Sequence, residues 1–185
     1  MDTKELSIAM MALARVGGES ASTASIRNAT ECCRAAFMDV SCHASPQDLA
    51  NTAWSLAKTS AREPALVRRI ADCAKASIRH FARLDLSQLL WAFASLFVHD
   101  SSLYDLLTDR TRSVLPTYRP QELSNLAWAL VTVGAVDLGL FRALSRAAID
   151  AIQFFKPQET SALAWAFAKA DIRENALFRA IARDA

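Results

Sequence analysis

The four tryptophans of the chain, Trp54, Trp91, Trp128 and Trp165, stand 37 residues apart. Each sits in a near-copy of one stretch: ANTAWSLAKTS, SQLLWAFASLF, SNLAWALVTVG and SALAWAFAKAD. A fixed period of this length constrains a fold more than any other signal, because it means that one supersecondary unit is stacked on copies of itself. Three units align without gaps over 47–83, 84–120 and 121–157, and a further copy, 158–185, stops after 28 residues. Upstream, KELSIAMMALAR matches QDLANTAWSLAK at an offset of 43, with Met11 in the tryptophan position. A first unit over about 4–46 therefore carries six extra residues, expected within MDVSCHAS. Other columns keep the same spacing: Leu66, Leu103, Leu140 and Leu177; Ile70, Leu107, Leu144 and Ile181; Phe81, Tyr118 and Phe155.

Each unit reads as two helices. Helix A opens at SPQD, RPQE or KPQE, where proline at the first helical position lacks only an N–H that has no partner there. Two residues on, Asp48, Glu122 or Glu159 places a carboxylate in the first turn, favourable with the helix dipole. Ser45 suits an N-cap. A break follows, TSAREP or VGAVD, and then helix B with Leu and Ile four residues apart. With only 4 glycines and 5 prolines in 185 residues, little interrupts helix. Such helix pairs cannot bury their apolar faces alone and must stack. The expected fold is all-α: one α-solenoid of helix-turn-helix repeats spanning 1–185, with a 37-residue period and an incomplete last repeat.

With helix A numbered from Gln47 as position 1 and projected at about 100° per residue, two faces separate. Positions 3, 6, 7, 10 and 11 form the core arc: Leu49, Thr52, Ala53, Leu56 and Ala57, or Leu123, Leu126, Ala127, Leu130 and Val131. Positions 1, 5, 9 and 12 form the opposite strip, with Lys4, Ile8, Ala12 and Arg15 in the first unit and Gln47, Asn51, Ser55 and Lys58 in the second. Stacking turns that strip into a groove. The tryptophan, position 8, falls on the border between strip and core. There it can wedge against the next repeat or offer a face to an unpaired base. Asn51, Gln88 and Asn125 recur at position 5. An exposed amide both donates and accepts, which is what reading a base edge requires, although a merely solvated face would look the same. Lys58 and Lys169, at position 12 of the same strip, are suited to phosphate. On helix B, Arg68, Arg142 and Arg179 share one column with Asp105, and Arg146 and Arg183 another with Asp72 and Asp109. Signs are mixed there.

Other classes find little support. A formal net charge of +2 permits nucleic-acid binding without demanding it. No apolar run reaches the roughly 18 residues of a membrane span, so no membrane insertion is expected. MDTKELSIAMMALARVGG has neither the basic start of a secretory signal nor an Arg- and Ser-rich transit composition. Cys32, Cys33, Cys42 and Cys73 form no CxxC pair, which points to thiols in a reducing compartment and to no metal. There is no glycine-rich phosphate loop, and His43, His80 and His99 have no evident catalytic partner. Neither catalysis nor a cofactor is expected.

PQDLANTAWSLAK, PQELSNLAWALVTVG and PQETSALAWAFAKA resemble the helix A signature of heptatricopeptide repeat proteins, the 37-residue relatives of octotricopeptide repeats that often accompany a RAP domain. The likeness runs from about Lys4 to Ala185. It implies an α-solenoid in a mitochondrion, or alternatively a plastid, that binds single-stranded RNA along its inner groove within a ribonucleoprotein such as a ribosome. Carried over by position, the RNA contacts are Asn51, Lys58, Gln88, Asn125 and Lys169. RLDL in the third unit and Ala162 in the fifth depart from that pattern. A competing expectation is a protein-binding scaffold in a larger organellar assembly. The incomplete last repeat, with Leu177, Phe178 and Ile181, is expected to meet a protein partner in either case.

Overall fold

Helix A starts where local chemistry dictates. In the computed structural model, which describes residues 2–20, 24–59 and 63–184, proline occupies the first helical position of three A helices. These are α3 (Pro46–Lys58), α7 (Pro120–Thr132) and α9 (Pro157–Lys169). The other two A helices are α1 (Thr3–Ser20) and α5 (Arg83–Ser95). Ser45 caps α3: its hydroxyl accepts from Asp48 N at 3.2 Å, while the Asp48 carboxylate accepts from Ser45 N at 3.2 Å. The caps of α5, α7 and α9 are Ala82, Arg119 and Lys156, whose side chains accept nothing. Half of the box survives there, as Asp85, Glu122 and Glu159 accept from the cap N–H at 3.2, 2.9 and 2.9 Å.

The B helices are α2 (Ala24–Val40), α4 (Pro64–Ser77), α6 (Ser101–Val114), α8 (Leu138–Asp150) and α10 (Asn175–Asp184). Single 3-10 turns follow the first four: Ser41–His43, Ile78–His80, Leu115–Thr117 and Ile152–Phe154. Phe81, Tyr118 and Phe155, the aromatic column, are buried just beyond three of these turns. The protein is all-α, with no strand among the described residues.

The chain divides into two compact units, Met1–Leu96 and Phe97–Ala185. In the first, the A helices lie side by side, α3 between α1 and α5, with α2 against α1 and α4 and with α4 against α3. In the second, α7 packs on α9, and α8 packs on α7 and α10. The expected core arc is buried at Leu49, Thr52, Ala53 and Leu56 in α3 and at Leu123, Leu126, Ala127 and Leu130 in α7, while its last members, Ala57 and Val131, are half-buried. Phe141 of α8 meets Phe167 of α9 edge to face, 5.2 Å between centroids, which anchors that unit's core.

The turn between helices A and B keeps the period as well. Gly134 has φ +74, and 37 residues either side of it Phe97 and Asp171 have φ +53 and +52. After α7, Ala135 N donates to Leu130 O at 2.9 Å and Gly134 N to Val131 O at 3.2 Å, a Schellman closure repeated at Ile172 and Asp171 after α9. Of the expected break at TSAREP, residues 60–62 lie outside the described residues.

Two expectations are corrected. The six extra residues of the first repeat are not in MDVSCHAS. Its 3-10 turn at Ser41–His43 and its cap at Ser45 stand 37 residues before Ile78–His80 and Ala82, so that stretch is already in register. The surplus instead lengthens the facing ends of α1 and α2, with 21–23 outside the described residues. Leu177 is not part of an open face either: α10 packs on α8 and the turn after it, which buries Leu177 completely and leaves Phe178 exposed.

Phe97 is 68% exposed and held in the left-handed region, which is unfavourable for an L side chain. Phe97→Gly should therefore raise stability by about 1 kcal/mol in denaturant unfolding, since glycine relieves the backbone and little burial is lost. At the start of α8, Asp137 accepts from Leu140 N and pairs with Arg112; the backbone bond foremost, then the guanidinium, holds its carboxyl below the ordinary range. Asp137→Asn keeps the cap and removes the charge. The stability difference between wild type and this variant should be fully present above the unfolded carboxylate pKa of about 3.9 and shrink as pH falls through the lowered folded value. Unfolding curves taken down the acid range check it.

Candidate nucleic-acid interface

A helix flanked by two parallel copies and backed by helix B is covered on three sides. What remains open is narrower than a projection with one covered arc predicts. Position 9 shows this. Ser55, Ala92, Ala129 and Ala166 were expected on the free strip, yet each is 2% exposed or less, while Ala12 in the first repeat is exposed as expected. Only Ser or Ala fits where neighbouring A helices approach. The open strip is instead positions 1, 5, 8 and 12, which follow i, i+4, i+7 and i+11 along one helical face. The tryptophans belong to it: Trp54, Trp91 and Trp128 are half-buried, and Trp165 is 46% exposed.

Across the five repeats this strip carries Lys4, Arg15, Lys58 and Lys169 and not one carboxylate, although the chain has 19 Asp and Glu. Its remaining positions are four indoles, amides, small polar or apolar side chains, and Met11. In each unit, taken by itself, the strip thus holds both cationic and aromatic side chains.

In the first unit the parts converge. Lys58, exposed in the last turn of α3, holds Nζ 5.6 Å from the Trp54 ring centroid and 5.1 Å from that of Trp91. Arg15 of α1 lies with its guanidinium carbon 5.9 Å from the Trp54 ring. Cations and indoles of three successive A helices therefore alternate: Arg15, Trp54, Lys58, Trp91. An indole attracts a cation over its face and fixes the direction of an otherwise mobile side chain. Beside this row, Gln88 Nε2 of α5 donates to Asn51 Oδ1 at 3.2 Å and to the Ala50 carbonyl at 3.3 Å. Asn51 and Gln88, expected as separate readers of bases, are joined to each other.

In the second unit Asn125 is half-buried on α7, and Lys169 is exposed as the last residue of α9 beside Trp165. Ala162 gives Asn125 no amide counterpart on α9. The arginines of the B helices, Arg68, Arg142, Arg146, Arg179 and Arg183, are exposed on other helices.

Two features escaped prediction. Arg15 was placed on the strip by its spacing but given no role there, although it shares position 12 with Lys58 and Lys169. Position 4, a column of Ser7, Ala50, Ser87, Ser124 and Ser161, links repeats by hydrogen bonds. Ser7 Oγ donates to Asp48 Oδ1 at 2.8 Å, and Ser124 Oγ to the Glu159 carbonyl at 2.8 Å. Among the described residues no group of three or more His, Cys, Asp or Glu is placed to hold a metal. No described helix is long and apolar enough to cross a membrane.

Paired helices recurring at a fixed period, with an aromatic and cationic face on the A helices, define an all-helical repeat protein. Residues 65–185 match the model of a family described as RNA-editing substrate-binding complex 6 protein, and the chain belongs to that family. Arg15, Trp54 and Lys58 precede the matched segment, while Gln88, Trp91, Asn125 and Lys169 lie within it. No curated protein matches the chain.

If Lys58 is held by the indole beneath it, Trp54→Ala and Lys58→Ala should not add. A double-mutant cycle on unfolding free energy should give a coupling of about 0.5–1 kcal/mol, and zero coupling would contradict the contact.

Proposed function

We propose that the protein binds single-stranded RNA along the open face of its A helices, as a non-catalytic component of an RNA-editing or related organellar ribonucleoprotein. The observation that carries this reading is the strip itself: in the first unit cations alternate with half-buried indoles, and in neither unit does a strip position hold a carboxylate to repel a phosphate chain. Lys58, Arg15 and Lys169 would take phosphates, and the indoles would take base faces. Membership of a family named for an RNA-editing substrate-binding complex supports an RNA-associated role. The side-by-side A helices within each unit support the α-solenoid reading of that unit. The resemblance to heptatricopeptide repeats supports a mitochondrial location, with a plastid as the alternative.

Lys58→Ala combined with Lys169→Ala tests it. Affinity for unstructured RNA should fall for every sequence, and the slope of log K against log salt should flatten by about 1.4, for two phosphate contacts on a single strand. Fluorescence anisotropy at several salt concentrations measures both. An unchanged slope, or a wild type without affinity for any single strand, would instead favour a scaffold whose strip is pressed against protein.

A further inference from the structure

In the first unit, we infer that the interface recognises unpaired bases by their faces and is blind to their edges, so that Asn51 and Gln88 serve as a fastener between repeats. This rests on the RNA-binding reading and names how that same site selects its ligand. Bidentate reading of a base needs an amide with its N–H and its C=O both turned outward. Gln88 does not meet that condition. Its Nε2 carries two hydrogens, and it donates one to Asn51 Oδ1 and the other to the Ala50 carbonyl. Asn51 in turn offers its oxygen to the neighbouring repeat. Both side chains are half-buried between α3 and α5, so swinging out to a base would break contacts on which the packing of those two helices relies.

The groups left to meet a ligand there are insensitive to sequence. Trp54 and Trp91 present π surfaces, which every base can cover. Lys58 and Arg15 present positive charge, which every nucleotide's phosphate attracts. Lys58 also stands close to both rings, within 5.6 Å of one and 5.1 Å of the other, so a base covering either ring displaces the ammonium toward the phosphate that follows. Stacking strength then sets a mild order among bases, purines ahead of pyrimidines, and the amides have no part in it.

The test uses the full chain and fluorescein-labelled rA12, rU12 and rC12. Asn51→Leu combined with Gln88→Met keeps side-chain volume and removes the amide bond. In this variant the ratio of Kd for rU12 to that for rA12 should stay within about twofold of wild type. Loss of a bidentate contact would shift it about fivefold or more. Trp91→Leu should weaken all three oligonucleotides together, by about tenfold. Side-chain amide spectra of the wild type give a readout that needs no variant: the Gln88 resonances should move by the same small amount with rA12 as with rU12. A ratio shifted fivefold by the amide variant, or a Gln88 response that depends on the base, overturns the inference while leaving RNA binding intact. Wild-type protein that binds none of the three overturns the RNA reading, and this inference falls with it.

Discussion

Everything in this protein depends on the packing of one A helix against the next. A helix of about thirteen residues is too short to be stable in water alone, and its apolar arc needs partners that only neighbouring repeats supply. α3 illustrates the constraint. Its core arc, Leu49, Thr52, Ala53 and Leu56, is buried, and α1 and α5 press on its two flanks. The approach is close enough that position 9 must be small, and close enough for Ser7 and Asp48, or Ser124 and the Glu159 carbonyl, to bond from one repeat to the next. Strict spacing within the packed stretch of an A helix follows, since a residue inserted there would rotate the later contacts of that helix by about 100°.

Covering three sides of a helix decides what the fourth can be. Side chains on the open face are less constrained by packing than those of the core, so their chemistry can vary more freely. Here it is uniform in sign and rich in π surface. Trp54 and Trp91 answer both demands at once: each ring is half-buried, and each has a cation of the same strip over it. Lys58, near both Trp54 and Trp91, shows how a cation comes to be held by two rings at once. The hydrogen bonds of Gln88 show the opposite outcome, a polar group on the strip drawn into holding the repeats together.

Much of this was legible in the residues. The period, the proline starts at Pro46, Pro120 and Pro157, the Ser45 cap and the core arc all depend on local rules, and local rules survive translation into three dimensions. The misreadings share one physical origin, which is contact between repeats. Position 9 projects onto the open side of an isolated helix, and only the neighbouring A helix buries it. Asn51 and Gln88 look like independent amides until α3 and α5 are set side by side. Leu177 looks uncovered until α10 folds back on α8. The surplus of the first repeat was placed by alignment, whereas helix ends can lengthen without disturbing the register of the turns that follow.

Photocrosslinking of the full chain to 4-thiouridine RNA, with the sites mapped by mass spectrometry, tests the central claim most directly. If the open face of the A helices is the RNA path, crosslinks should fall on that strip, at or beside Trp54, Trp91, Trp128 and Trp165. Crosslinks confined to the arginines of the B helices, or none above background, would contradict it.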